Sequence, residues 1–510
     1  MKEKRNRRAL APLKAFLKDM LVGEKSVPAS PESKTTVLEY PLWRFPIEKN
    51  RMGLGWVDGE LNPTTGLVGN IKGIDTAYRS THFYAVGASG SGKSKFLQSL
   101  IIQDIIRDEG FGVIDPHGDL VEDVKGWLHF WTKKDFRSEI VLIDPADLEN
   151  TACFNPLEPV DGIPPERLAG QLVEAFKKIW ADAWGERMAD ILRNSLIALA
   201  ENNLTLLELP LLLTEKAARK KILANVKSPT CLQRFKYFES VPASTWREWL
   251  ESTLNKVDAF LSDPAIRMIF ASKRSSFNLR DIMDHKKILL VNLNKGKLGD
   301  SANLLGALLV SKIKMAAFSR TDIPQTERQP FYLYIDEFQN FATNSFVEIL
   351  SEARKYRLSL ILAHQNLSQL SEDLRDSILA NCGIQACFRV NREDAQLLAR
   401  EIMGPIYRSK PGWELNIQLL QEVPTRCCYV ANKQENGIVG IRTLPVPCPW
   451  ELMADVDDNW NEENYRVLTG QLGIGADYVK SRGEVESEIA ERERELMSGL
   501  QEETFKDKKG

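Results

Sequence analysis

Apolar residues fall along this chain in short, mostly apolar runs, at 81–86, 111–114, 140–143, 287–293, 331–335 and 358–363. Each run closes on a polar or glycine-containing turn. Runs of this length without alternation read as strands buried on both faces of a parallel sheet. After the first, Phe96, Leu97, Leu100, Ile101 and Ile105 recur at helical spacing, and 302–319 and the segment carrying Val347, Leu350 and Ala353 are further helices. Strands near 384–390, 427–432 and 437–442 complete the set. Strand and helix in alternation predict an α/β fold with a mostly parallel sheet.

The alternation is interrupted. Between 159 and 261 the pattern is helical throughout, with Leu168, Leu172, Ala175, Phe176 and Ile179 on one stripe and Met188, Ile191, Leu192, Ser195 and Leu199 on the next. About a hundred helical residues between strands predict an inserted all-α domain, so the α/β domain comprises 81–158 and 262–450. Trp180, Trp184, Trp246 and Trp249 punctuate the insertion and are expected in its core before any base-stacking role. Residues 36–80 carry short alternating segments broken by glycines, a small β-rich lead-in. Residues 1–35 hold a basic cluster, an amphipathic helix from Leu10 to Leu21 and a Pro/Ser linker. That helix packs on a subunit or lies on a membrane surface. The last sixty residues, 451–510, hold 16 acidic and 8 basic side chains. They read as an acidic tail with a solvated charged helix from 484 to 500.

Composition narrows the picture by exclusion. The chain has 510 residues and a formal net charge of −3, so whole-chain charge gives no support for nucleic-acid binding and any such site is local. Seven cysteines without a C-x-x-C pair read as reduced thiols in a cytoplasmic protein. No apolar run approaches the ~20 residues of a membrane span.

The chemistry sits where strands end. Gly87-Ala88-Ser89-Gly90-Ser91-Gly92-Lys93-Ser94 fits G-x-x-x-x-G-K-[ST], flanked by the strand and helix this phosphate-binding P-loop requires. Its glycines let backbone N–H groups turn inward as an anion nest at a helix N-terminus. Lys93 reaches the β- and γ-phosphates of ATP and Ser94 offers its hydroxyl to Mg²⁺. The run at 331–335 delivers Asp336-Glu337 in a Walker B arrangement, Asp336 toward the Mg²⁺ shell and Glu337 to activate the attacking water. Asp115 and His117 stand on the same edge, as ligand contacts or as turn formers. Asp144 is expected as a turn former.

The succession of His82, GASGSGKS, VIDPHGDL, YIDEFQNF and ILAHQNLSQL resembles the HerA/FtsK superfamily of P-loop motors. Within it, these motifs are most similar to the TraG/TraD-like coupling proteins of type IV secretion. The resemblance covers roughly 80–155 and 260–445 and implies a RecA-like P-loop NTPase domain, a homohexameric ring, DNA as cargo, and a secretion-complex or relaxase-type partner. It implies that Gln365 is a sensor of the γ-phosphate, and that Arg354 is an arginine finger acting on a neighbouring subunit. Arg389 and Arg392 are the reserves. Lys295 and Lys297, in a mobile basic loop, face a channel or neighbour, where they contact phosphates or simply stay solvated. Most coupling proteins carry N-terminal transmembrane helices and this sequence shows none, which implies a cytoplasmic member, with the helix at Leu10–Leu21 the one candidate for peripheral membrane contact. Two alternatives stay open: an NTP-dependent assembly switch, and a secretion ATPase whose substrate is protein.

Overall fold

A computed structural model describes residues 50–57, 61–62, 67–68, 71–403, 410–449 and 469–498. The basic N-terminal segment, with its helix and linker, lies outside them. In chain order the strands are β1 (Arg51–Trp56), β2 (Leu61–Asn62), β3 (Leu67–Val68), β4 (Ile71–Asp75), β5 (Phe83–Val86), β6 (Gly110–Asp115), β7 (Ile140–Ile143), β8 (Asn150–Ala152), β9 (Ile288–Asn292), β10 (Phe331–Ile335), β11 (Leu358–His364), β12 (Ile384–Cys387), β13 (Cys427–Asn432), β14 (Gly437–Thr443) and β15 (Val479–Ser481).

Eleven of them form one sheet in the order β4-β1-β14-β13-β12-β5-β11-β10-β6-β9-β7. From β12 to β7 every pairing is parallel. Beyond β12 the remaining pairings are antiparallel. The parallel block therefore has all its carboxyl ends on one edge, and β5, β10 and β11 lie side by side at its centre. Two sheet strands, β1 and β4, come from the β-rich lead-in and extend the antiparallel wing.

Strand alternation sorts the core into two layers. On β10 and β11, Tyr332, Tyr334, Ile361 and Ala363 face the layer built on the helices Lys93–Ile106 and Asp119–Trp131. Leu333, Ile335, Leu360 and Leu362 face the helix Asp300–Phe318 and the helical segment that follows β8. That helix falls within the stretch Asp300–Asp322, the one among the described residues long and apolar enough to cross a membrane, and 83% of the qualifying window is buried in this core. Arg79 ties the first layer together, its guanidinium bidentate on Asp104 at 2.6 Å while the Tyr334 hydroxyl donates to the same carboxylate at 2.5 Å.

Helices Pro165–Ile179, Glu186–Glu201, Pro229–Ser240 and Ala243–Leu261 make up most of the insertion, and their apolar faces merge into the core of the second layer. Trp180 is buried there, whereas Trp246 and Trp249 are half-buried and stack on Phe238 and Tyr237.

Four expectations need correction. The first strand starts at Phe83, because Thr76–Thr81 is a 3₁₀ helix and His82 takes a left-handed turn at φ 61°. The strand expected at 384–390 stops at Cys387, where Phe388 and Arg389 bend onto the P-loop. Lys295 lies in a helical turn, Lys295–Leu298, and not in a mobile loop. The charged C-terminal helix is docked: β15 pairs antiparallel with β8, and the helix Arg482–Met497 that follows buries Val485, Ile489 and Arg492. Its charge pattern hid a narrow apolar stripe and a buried cation, which Arg492 satisfies by donating to Glu208 at 2.9 Å.

Candidate nucleotide site at the carboxyl edge of the sheet

The P-loop leaves β5 at the centre of the parallel edge. The Gly87 N–H donates to the His364 carbonyl, and the Ala88 N–H to the Arg389 carbonyl at 2.7 Å. Gly92 ends the loop at φ 108°, and a Cβ there would stand 3.0 Å from the Arg426 Cα. Two separate constraints therefore demand glycine: a left-handed backbone and the close approach of a neighbouring strand. The Arg426 N–H donates to the Ser91 carbonyl at 2.8 Å, which clips the loop to the start of β13.

Lys93 opens the helix that follows. The residue is 5% exposed, and its ammonium donates to the Gly87 carbonyl at 2.6 Å and the Ala88 carbonyl at 3.3 Å. Burial lowers its pKa, opposed by the charges of Asp336 and Glu337. A buried cation aimed into the loop is poised to favour phosphate oxygens.

Across the strand ends, the Ser94 hydroxyl donates to Asp336 Oδ2 at 2.9 Å, joining residues 242 apart in sequence. Burial, then the adjacent Glu337, pushes the Asp336 carboxyl up to about 6. A hydroxyl and a carboxylate sharing one point beside a phosphate nest suit Mg²⁺, which takes few protein ligands and supplies positive charge to phosphate oxygens. Ser94 and Asp336 would hold it.

Glu337 has a left-handed backbone, φ 46°. Its carboxylate accepts from Gln365 Nε2 at 2.8 Å on one oxygen and from Gln339 Nε2 at 2.6 Å on the other. Beside it, His364 is packed against Tyr84 and Phe338, and burial followed by the charge of Lys93 drives its imidazole down to about 3. It is a neutral wall of the site.

The structure thus brings Gly87 to Ser94, Asp336, Glu337 and Gln365 to one place. Arg354 stands elsewhere. It is exposed in the turn Ala353–Tyr356, before β11, on the amino edge of the sheet. A seven-residue strand separates it from Gln365, roughly 20 Å. Arg389 is exposed next to the P-loop, and Arg392 pairs with Glu414. Asp115 caps the helix Asp119–Trp131, accepting from the backbone of His117, Leu120 and Val121. Asp144 likewise organises its own turn. Sequence reasoning passed over Gln339 and Arg426. The first lay inside a quoted motif with no role attached; the second had no local signal.

A strand–loop–helix nest, a Ser–Asp pair and a second carboxylate on a mainly parallel sheet define a RecA-like P-loop ATPase fold. The family model for type IV secretory system conjugative DNA transfer matches residues 47–183, and that for the TraM recognition site of TraD and TraG matches 330–402. The bacterial conjugative coupling protein TrwB is similar at a TM-score of 0.51 and 16% identity, over 74% of this chain and 87% of that one. TrwB in complex with ADP and Mg²⁺ gives 0.51 and 15%, over 74% and 88%. VirB4 of Thermoanaerobacter pseudethanolicus gives 0.51 and 15%, over 78% and 97%. At such identities the likeness to these structures is one of fold. No curated protein matches the chain. In its two matched segments and in its fold, the chain is similar to the TraG/TraD-like conjugative coupling ATPases.

Proposed function

We propose that this protein hydrolyses ATP with Mg²⁺ and uses the energy, as a homohexameric ring, to move DNA. The observation that carries hydrolysis is the 2.9 Å Ser94–Asp336 hydrogen bond with Glu337 beside it. Water attacks the γ-phosphorus in line; Glu337 orients it and takes its proton. Lys93 and the P-loop N–H groups neutralise charge on the phosphates, and Gln365 reads the γ-phosphate. Arg354, on the opposite edge from its own nucleotide, serves a neighbour's site. DNA as cargo rests on the similarity to conjugative transfer proteins, as does a partner of the TraM type. We place the motor in 81–158 and 262–450, with the helices of 159–261 handling cargo or partner, and locate the protein in the cytoplasm. The second reading is a protein-secretion or switch ATPase, which needs no global attraction for nucleic acid; the net charge of −3 supplies none.

Steady-state ATPase assays with and without single- and double-stranded DNA separate the two. Stimulation of several-fold supports DNA movement, and indifference at low salt supports the second reading. Lys93→Ala should abolish nucleotide binding, measured with a fluorescent ATP analogue. Glu337→Gln should retain ATP while losing at least ~10² in turnover.

A further inference from the structure

The catalytic carboxylate is wired to a lysine outside its own strand. Glu337, Gln339 and Asn340 lie in and beside the 3₁₀ turn Phe338–Asn340 that follows β10. Asn340 folds back on Glu337, its backbone N–H and its side-chain Nδ2 both donating to the Glu337 carbonyl, at 3.1 and 2.9 Å. The other end of that amide, Oδ1, accepts from the Lys295 ammonium at 2.9 Å. Lys295 belongs to the turn after β9, which is tied to the loop after β6 through the Lys295 N–H and the Pro116 carbonyl. Gly296, Lys297 and Gly299 of that turn are exposed.

Gln339 completes the arrangement. A carboxylate only accepts, so the Gln339 amide must turn its nitrogen to Glu337, and its Oε1 is then buried without a partner. An amide on each carboxylate oxygen fixes the plane of the carboxylate and leaves water only the lone pairs the amides do not use. Gln365 has a second employer in the γ-phosphate; Gln339 has none in view.

We propose that Gln339 latches Glu337 in an idle orientation, and that Lys295, holding Asn340, keeps the latch closed until a DNA phosphate draws the lysine away. This rests on Glu337 being the base for ATP hydrolysis. A neutral amide is a weak partner for an ammonium, and a phosphate a strong one, so contact with a nucleic-acid backbone shifts Lys295 outward. The turn 338–340 then loses its outer support, Gln339 swings off, and Glu337 is free to face water. Gln339 and Lys295 are positioning residues in this scheme.

The test is steady-state ATPase kinetics on the full chain, with duplex and single-stranded oligonucleotides as probes. Gln339→Ala and Lys295→Met should each raise DNA-free kcat by about fivefold, the fold-change of one hydrogen bond, while KM for ATP stays within about twofold. Both should shrink stimulation by DNA, and the double variant should exceed neither single by more than the experimental error. Lys295→Arg, which keeps a cation at the turn, should restore DNA stimulation. Unchanged or lowered DNA-free kcat in Gln339→Ala, or additive effects of the two substitutions, would overturn the latch. A wild type without ATPase activity, or full turnover by Glu337→Gln, defeats the reading of the base instead. The two failures are therefore distinguishable.

Discussion

Gly92 is where a single residue decides most. Any other side chain there meets both a left-handed backbone and the Arg426 main chain at 3.0 Å. Gly92→Ala should cost about 1–3 kcal/mol of stability and distort the nest. Thermal melting together with fluorescent-nucleotide titration checks both effects, and ATP affinity should fall at least ~10-fold. His82 contributes stability that acid removes. Its Nδ1 accepts from the Leu360 N–H at 3.0 Å, and burial drives its pKa down to about 4. Protonation would set an N–H against an N–H. Because the unfolded chain takes up the proton near 6.5 and the folded one near 4, the stabilisation is complete above pH 6.5 and is lost as pH falls toward 4. The slope is about 1.4 kcal/mol per pH unit. Melting curves of wild type and His82→Gln from pH 7.5 to 4.5 should therefore converge as the pH drops. A constant gap would show that His82 is not the titrating group.

At the scale of elements, the C-terminal helix is held by more than its narrow stripe. Arg492 and Glu208 are 4% and 1% exposed, so removing one strands a buried charge. Arg492→Met should destabilise the protein by about 3–5 kcal/mol, and adding Glu208→Gln should recover part of that loss. Urea melts of the single and double variants measure it; a loss under about 1 kcal/mol would mean that the helix docks without the pair. The strand ends teach a related lesson. Strand–helix alternation was plain from apolar runs, because a strand buried on both faces leaves little choice of residue. Strand limits were less legible, as at His82 and Phe388, where a left-handed turn and a bend toward the P-loop override local propensity. The tail is illegible for a similar reason: a helix with one thin buried stripe among many charges looks solvated until its partner surface is known.

Across the whole molecule, the candidate nucleotide site and Arg354 lie on opposite edges of one sheet. A ring in which each subunit's amino edge faces the next subunit's carboxyl edge would bring the two together. Mixing Arg354→Ala with Glu337→Gln tests this directly. Each variant alone should be nearly inactive, and the mixture should regain activity at interfaces that pair an intact Glu337 pocket with an intact Arg354. Absence of recovery would transfer the finger to Arg389, which stands beside the P-loop of its own chain.

What the residues determined unaided was the local chemistry: the glycine spacing of a phosphate nest, a lysine and serine opening a helix, two acids after a buried strand. Those signals are legible because the backbone geometry they require is built within a few residues. Which groups meet across the sheet was decided only by the fold. Strand order places β5 between β11 and β12 and brings Asp336 to Ser94, Arg426 to Gly92 and Lys295 to Asn340. Each partner lies tens to hundreds of residues away. Contact at that range depends on how every intervening strand is registered, which no short stretch of sequence encodes.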